Sequence, residues 1–207
     1  MIIKAVVFDY GQVISLPPDP KIMDSLAGRA GVAREKFEPV LWELRSEYDR
    51  GTISARAYYR EILSRFGVSL DDKSIDEMVE MDLSSWLNTN AGTVSLMEDV
   101  KKAGYVLGIL SNMPCDFLAL ARKNIPVFSL AQVSLFSCEV KLIKPEEAIY
   151  RKLLSMLGLE GGEVVFFDDN AENVKSARAL GIKAFLWETC ESARRELLSL
   201  GVRLGTV

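Results

Sequence analysis

The chain has 207 residues, 49% of them apolar, enough for one good core and too few for two full-sized independent domains, so one domain with an insertion is expected. A formal charge of −4 without a long Lys/Arg run carries no electrostatic footprint for nucleic acid and points to a small-molecule partner. The absence of histidine excludes imidazole-based serine and cysteine triads, His-ligated metals and phosphohistidine chemistry, so catalysis must rest on carboxylates, lysine, hydroxyls and a bound ion.

Residues 2–8 form an apolar, β-branched run that reads as a buried strand. The stretch 16–88 that follows contains no convincing strand and several helical periods. Phe37, Leu41, Leu44 and Tyr48 share one face, as do Tyr58, Ile62 and Phe66 after the capping candidates Thr52 and Ser54, and Ile75, Met78, Val79, Leu83 and Trp86 continue the pattern. This reads as a small helical bundle inserted after the first strand, with Pro17, Pro18 and Pro20 marking the way out and residues 88–92 the way back. Further strands are expected at 106–110, 133–136, 164–167 and 183–187, alternating with the helical patterns Val94/Met97/Val100, Ile149/Leu153/Leu157 and Val174/Ala177/Leu180. The expected fold is therefore α/β: a Rossmann-like, doubly wound parallel sheet with core segments 1–15 and 89–207 and an inserted bundle at 16–88.

No apolar stretch approaches the ~20 residues of a membrane span, and the chain runs into its first strand without a signal-peptide cleavage pattern, so no membrane partner and a cytoplasmic location are expected. Cys115, Cys138 and Cys190 are odd in number and widely spaced, which predicts reduced and mostly buried thiols.

In open α/β sheets ligands bind outside the carboxyl ends of the strands, and here the residues following the strands are Asp9, then Ser111 and Asn112, then Lys144, then Asp168 and Asp169. Carboxylates crowded at one sheet edge repel one another unless a cation sits among them. All-oxygen ligation favours Mg²⁺, which pairs with phosphate oxygens; the Ser111 hydroxyl and nearby amides are suited to phosphoryl oxygens, Lys144 to their charge, and Asp9 to attack. Each piece also has a structural account: an Asp after a strand is a common turn former, and Lys144-Pro145-Glu146-Glu147 reads as Pro at the first helical position followed by first-turn acids. The joint occurrence, in this order, favours the functional reading.

The segments Val6-Val7-Phe8-Asp9-Tyr10-Gly11-Gln12-Val13, Ile109-Leu110-Ser111-Asn112, Lys144-Pro145-Glu146-Glu147-Ala148-Ile149-Tyr150 and Phe166-Phe167-Asp168-Asp169-Asn170-Ala171-Glu172-Asn173-Val174 resemble, in order, the four signature motifs of the haloacid dehalogenase-like superfamily. The resemblance implies an aspartyl-phosphate on Asp9, phosphoryl binding by Ser111 and Asn112, and a charge-balancing Lys144. It also implies a Mg²⁺ held by Asp9, the Gly11 carbonyl and the pair Asp168 and Asp169, the division within that pair staying open. The implied substrate is a small phosphorylated molecule, and the bundle corresponds to that family's helical cap.

Phosphatases of the superfamily usually carry an acid two residues after the nucleophile, where this chain has Gly11; such help is typically worth about 10²–10⁴-fold. Tyr10, Asp19 or a substrate group are the candidates to replace it. The Asp-x-Gly arrangement is similar to bacterial members that include sugar-phosphate phosphatases such as α-glucose-1-phosphatase, whose acidic anomeric leaving group needs the missing acid less. Two alternatives remain: a metal-independent 2-haloacid dehalogenase, in which a Tyr would be expected where Gly11 stands, and a non-enzymatic phosphate-binding or regulatory domain. Lys141 reads as surface, and Trp42, Arg45, Tyr48, Tyr58 and Arg60 are of the type that contacts a sugar and equally of the type that fills a bundle core. Nothing in the sequence selects an oligomeric state.

Overall fold

The computed structural model describes residues 2–204. Five apolar segments form the strands β1 (Ala5–Phe8), β2 (Val106–Ser111), β3 (Val133–Phe136), β4 (Val164–Asp168) and β5 (Lys183–Leu186). They pair in parallel in the order β3-β2-β1-β4-β5. Phe8 sits in register with Ile109 on one side and Phe167 on the other, so β1 is central and its carboxyl end lies beside those of β2 and β4. The chain runs outward from β1 to β3 and then crosses back to β4, which opens a crevice at the reversal.

Alternate residues of β1 feed two cores, as the pleat requires. Val6 and Phe8 pack with Leu96, Met97 and Val100 of α5 (Ala91–Lys102) and Leu197 of α10 (Cys190–Ser199), while Ala5 and Val7 pack with Ile149 and Leu153 of α8 (Glu147–Leu157) and Val174 and Ala177 of α9 (Ala171–Ala179). Helices α6 (Cys115–Asn124) and α7 (Ser137–Val140) follow β2 and β3. Every strand segment expected from the sequence is present, with ends shifted by a few residues. Ile2 is 81% exposed and Lys4 already bonds the Glu163 carbonyl at 2.8 Å, so the paired run starts later than its hydrophobicity does.

Between β1 and β2 stand α1 (Pro20–Arg29), α2 (Arg34–Asp49), α3 (Ala55–Arg65) and α4 (Asp72–Ser85), around a separate core that includes Leu26, Phe37, Leu41, Tyr58, Ile62 and Met78. The chain leaves and re-enters side by side: Leu16 donates to the Asn88 carbonyl and Asn90 to the Ile14 carbonyl, both at 2.8 Å. Helix α1 was not expected from the sequence. Pro20 opens it rather than merely marking the connection, because a proline at the first helical position loses no hydrogen bond, and the Asp19 carboxylate caps it from the Lys21 amide at 2.9 Å. Ser54 caps α3, whereas Thr52 turns back to the Glu47 carbonyl.

Two further expectations need correction. Only Cys138 of the three thiols is buried; Cys115 is exposed and Cys190 intermediate. Pro145 precedes α8 instead of opening it, and its peptide bond with Lys144 is cis. Lys141 is exposed, as expected, yet its ammonium donates to the Gly51 carbonyl at 2.6 Å. Arg50 forks onto Glu146 at 2.6 and 3.1 Å nearby, so the end of α2 is clasped to the segment that carries Lys144.

Candidate active site

Asp9 follows the last residue of the central strand and accepts the Tyr10 amide at 2.7 Å. The next residues make a single wide turn, Tyr10–Ile14, in which Gln12 takes a left-handed conformation at φ 55°. A non-glycine side chain pays roughly 1–2 kcal/mol there, and Gln12 uses the position to donate its amide to Asp169 Oδ2 at 2.8 Å.

Lys144 is buried, and its ammonium meets Asp9 Oδ1 at 2.8 Å, Asp168 Oδ2 at 2.6 Å and the Leu110 carbonyl at 3.3 Å. Its backbone is fixed in turn by Asn112, whose side chain accepts the Lys144 amide at 2.8 Å and donates to the Lys144 carbonyl at 2.9 Å. Asn112 thus ties the end of β2 to the lysine segment. Asp168 has no solvent exposure and is also bonded by the Asn170 amide at 2.8 Å and the Asn173 side chain at 3.0 and 3.2 Å. Asp169 is exposed at the cavity wall.

Oxygens of Asp9, Asp168 and Asp169 all lie within 4.8 Å of one another. With Lys144 as the one ammonium among three carboxylates, the cluster carries excess negative charge in a partly desolvated place. Burial pushes the Asp9 carboxyl up to about 7, with Lys144 opposing and Asp168 and Asp169 adding to the shift. Asp169 is raised by partial burial and by Asp168. Burial works against the Lys144 charge, but Asp168 and Asp9 outweigh it and hold its pKa above the ordinary value. An all-oxygen donor set with surplus negative charge fits a hard divalent cation.

Asp9, Lys144 and Asp169 line a cavity of about 340 Å³ together with Gly11, Ser111 and Asn112 on the sheet side and Trp42, Arg45, Asp49 and Trp86 from the inserted bundle. All the sequence-derived site residues are therefore brought together, and all but Asp168 line the cavity; Asp168 lies behind its wall, bonded to Lys144. Of the bundle residues singled out by type, Trp42 and Arg45 reach the cavity, Tyr48 and Tyr58 are bundle core, and Arg60 pairs with Asp72 on the surface. Sequence reasoning gave no role to Asn173 or Asp49. Asn173 stands in the first turn of α9 facing β4, a position that a helical period through Val174 and Ala177 would have marked.

A model of the haloacid dehalogenase-like hydrolases matches residues 3–181. The chain belongs to this family.

Within the family, it is 28% identical over 144 residues to the phosphatase MT3486 of Mycobacterium tuberculosis, a match covering 66% of this chain and 65% of that protein. It is 27% identical over 140 residues to (S)-2-haloacid dehalogenase 4A of Burkholderia cepacia, covering 68% of this chain and 55% of the relative. The chain spans at most 65% of the length of the first curated relatives it matches. Among solved structures, the haloacid dehalogenase-like enzyme BT-2542 of Bacteroides thetaiotaomicron, in complex with magnesium and inorganic phosphate, superposes with a TM-score of 0.71 at 24% identity, covering 90% of this chain and 94% of that one. That likeness is one of fold. Phosphatases and dehalogenases thus both stand among the relatives, and the chain belongs to the family that contains them.

Proposed function

We propose that the protein is a magnesium-dependent hydrolase of a small phosphomonoester, acting through an aspartyl-phosphate on Asp9. The observation that carries this reading is the carboxylate cluster: Asp9, Asp168 and Asp169 converge within 4.8 Å, and one open carboxylate, Asp169, faces the cavity.

Asp9, Asp169 and the Gly11 carbonyl are the ligands this reading assigns to the ion; Asp168, bonded by Lys144, Asn170 and Asn173, acts behind them. When bound, the ion would neutralise phosphoryl charge and favour the ionised forms of Asp9 and Asp169. Lys144 fixes Asp9 Oδ1 at 2.8 Å, which leaves the other oxygen to meet the phosphorus in line. Ser111, at the end of β2, offers its hydroxyl to the transferring phosphoryl oxygens, while Asn112 supports the site by holding the Lys144 backbone. Attack by Asp9 followed by attack of water divides the hydrolysis into two displacements.

Residues 16–88 serve in this reading as the cap over a core of 1–15 and 89–207, bringing Trp42 and Trp86 over the crevice and shedding water from it. Residues 1 and 205–207 of that core lie outside the described residues. No helix among the described residues is long and apolar enough to cross a membrane, and the reading takes a cytoplasmic enzyme with a small-molecule substrate and no nucleic-acid partner. A sugar phosphate with an acidic anomeric leaving group suits the absence of an acid at Gly11.

The test is phosphate release from a panel of phosphorylated metabolites and an activated aryl phosphate, with Mg²⁺ or EDTA, for the wild type and Asp9→Asn. The expected result is magnesium-dependent release that the variant loses entirely. Halide release from a 2-haloacid without metal would overturn the phosphorus chemistry; binding of Mg²⁺ and phosphate without turnover would leave a regulatory domain.

A further inference from the structure

Gly11 leaves the cavity without an acid at the usual place, and the space beside it is filled from the bundle: a Cβ built on Gly11 meets the Trp86 ring at 3.7 Å. That distance is an ordinary van der Waals contact, and since position 11 itself carries no side chain the missing group must come from elsewhere. The protonatable side chains lining the cavity, among the described residues, are Asp9, Tyr10, Arg45, Asp49, Lys144 and Asp169. Asp9 and Asp169 belong to the carboxylate cluster, and Lys144 is bonded to Asp9 and Asp168. Tyr10 donates its hydroxyl to the Trp86 carbonyl at 2.6 Å, and burial lifts it far above its ordinary value. Asp19 lines a different depression and caps α1.

Asp49 remains. It is the last residue of α2, 9% exposed, and its backbone carbonyl accepts the Ser137 hydroxyl of the core at 2.5 Å. The same hydroxyl accepts the Met113 amide at 3.0 Å, two residues beyond Ser111, so Asp49 is registered against the wall that carries the phosphoryl-binding residues. Arg45 Nε holds Asp49 Oδ1 at 2.8 Å and orients the carboxyl. Asp82, from α4, shares the same guanidinium at 3.1 Å, so one cation faces two carboxylates and the Asp82 charge works against ionisation of Asp49. The charged groups that act on Asp49 are Arg45 from its own helix, Asp82 from α4 and Lys144 from the core; burial outweighs the two cations and raises its pKa.

We propose that Asp49, carried by the inserted bundle, is the general acid and then the general base of the reaction, in place of the carboxyl that Gly11 lacks. This rests on the phosphatase reading above. In the first step an Asp9 oxygen bonds to phosphorus, the bond from phosphorus to the leaving oxygen breaks, and the Asp49 proton passes to that oxygen to release an alcohol. In the second, the Asp49 carboxylate takes a proton from the attacking water, the water oxygen bonds to phosphorus, the bond to Asp9 breaks, and Asp49 is again protonated. Arg45 is a positioning residue.

The experiment compares wild type and Asp49→Asn, with Mg²⁺, on p-nitrophenyl phosphate and on a sugar phosphate with an unactivated alcohol leaving group. Nitrophenolate leaves without a proton, so the variant should give a burst of about one nitrophenolate per enzyme, then turnover slowed by about 10²-fold or more, with a phosphorylated chain accumulating in intact-mass spectra. The sugar phosphate should show no burst and a loss of similar or larger size. Equal losses on both substrates with no burst and no phosphorylated chain, or no loss at all, would overturn the assignment. Should the Asn variant fail to fold, wild-type kcat/KM across leaving groups of graded acidity decides: a shallow dependence supports an acid in place, a steep one removes it. Failure of the phosphatase reading itself looks different, since wild type would then release no phosphate from any substrate.

Discussion

Lys144 and the carboxylates it meets set the pH behaviour of the site. Asp9, with an ordinary value of 3.8, is pushed up to about 7 in the folded chain, first by burial. A carboxyl whose pKa rises on folding disfavours the folded state as pH climbs from the ordinary value through the raised one, because the unfolded chain ionises more easily. A cation bound by the ionised group reverses that loss, and below about pH 7 protons compete with it. The expected outcome is that added Mg²⁺ raises the thermal midpoint more at about pH 8 than at about pH 5.5. Differential scanning fluorimetry across that range checks it, and a larger shift on the acidic side would refute the assignment of Asp9 as a ligand.

At the scale of elements, the corner joining α9 to β5 closes onto the tight turn Gly161–Glu163 before β4. A Cβ on Gly161 would stand 2.2 Å from the Leu180 carbonyl oxygen and 2.9 Å from the Gly181 carbonyl carbon, backbone atoms that cannot swing aside as a side chain would. Gly161→Ala should therefore cost about 1–3 kcal/mol or more, seen as a lower urea midpoint with an unchanged slope. An unchanged midpoint would show that the turn yields. The same scale explains what the periodicity of the chain conveyed and what it did not. Strands with both faces covered, such as Val164–Asp168, read as continuous apolar runs. Helix α1 buries only Leu26 and Ala27, too few positions to stand out as a face, and its start lies among prolines that locally look like a connection.

For the whole molecule, the bundle and the sheet are joined by the Arg50–Glu146 fork and the Lys141 contact with Gly51, outside the cavity, and by the Ser137 contact with Asp49 at its wall. Glu146 is only two residues past Lys144, so this clasp connects the position of the bundle to the lysine segment. The side chains of Arg50 and Glu146 are 21% and 42% exposed, which keeps the pair in the weak range. A double-mutant cycle of Arg50→Ala and Glu146→Ala, read by urea unfolding, should give a coupling of about 0.5–1 kcal/mol. Additive losses would mean that the clasp holds nothing.

The amino-acid sequence by itself determined the parallel α/β sheet, the inserted helices and the convergence of Asp9, Ser111, Lys144 and Asp169. Those follow from local hydrophobic patterns and from the rule that strand ends share one edge. The tertiary structure alone decided how the acidic pair divides: two adjacent residues of one type became a buried partner of Lys144 and an open carboxylate at the cavity, because Asp168 ends β4 against the Lys144 ammonium while Asp169 stands in the bend beyond the strand. It alone also placed Asn112 on the Lys144 backbone and Asp49 in the cavity. Such pairings join residues far apart in the chain, and they arise from how the bundle packs over the sheet, which no local periodicity encodes.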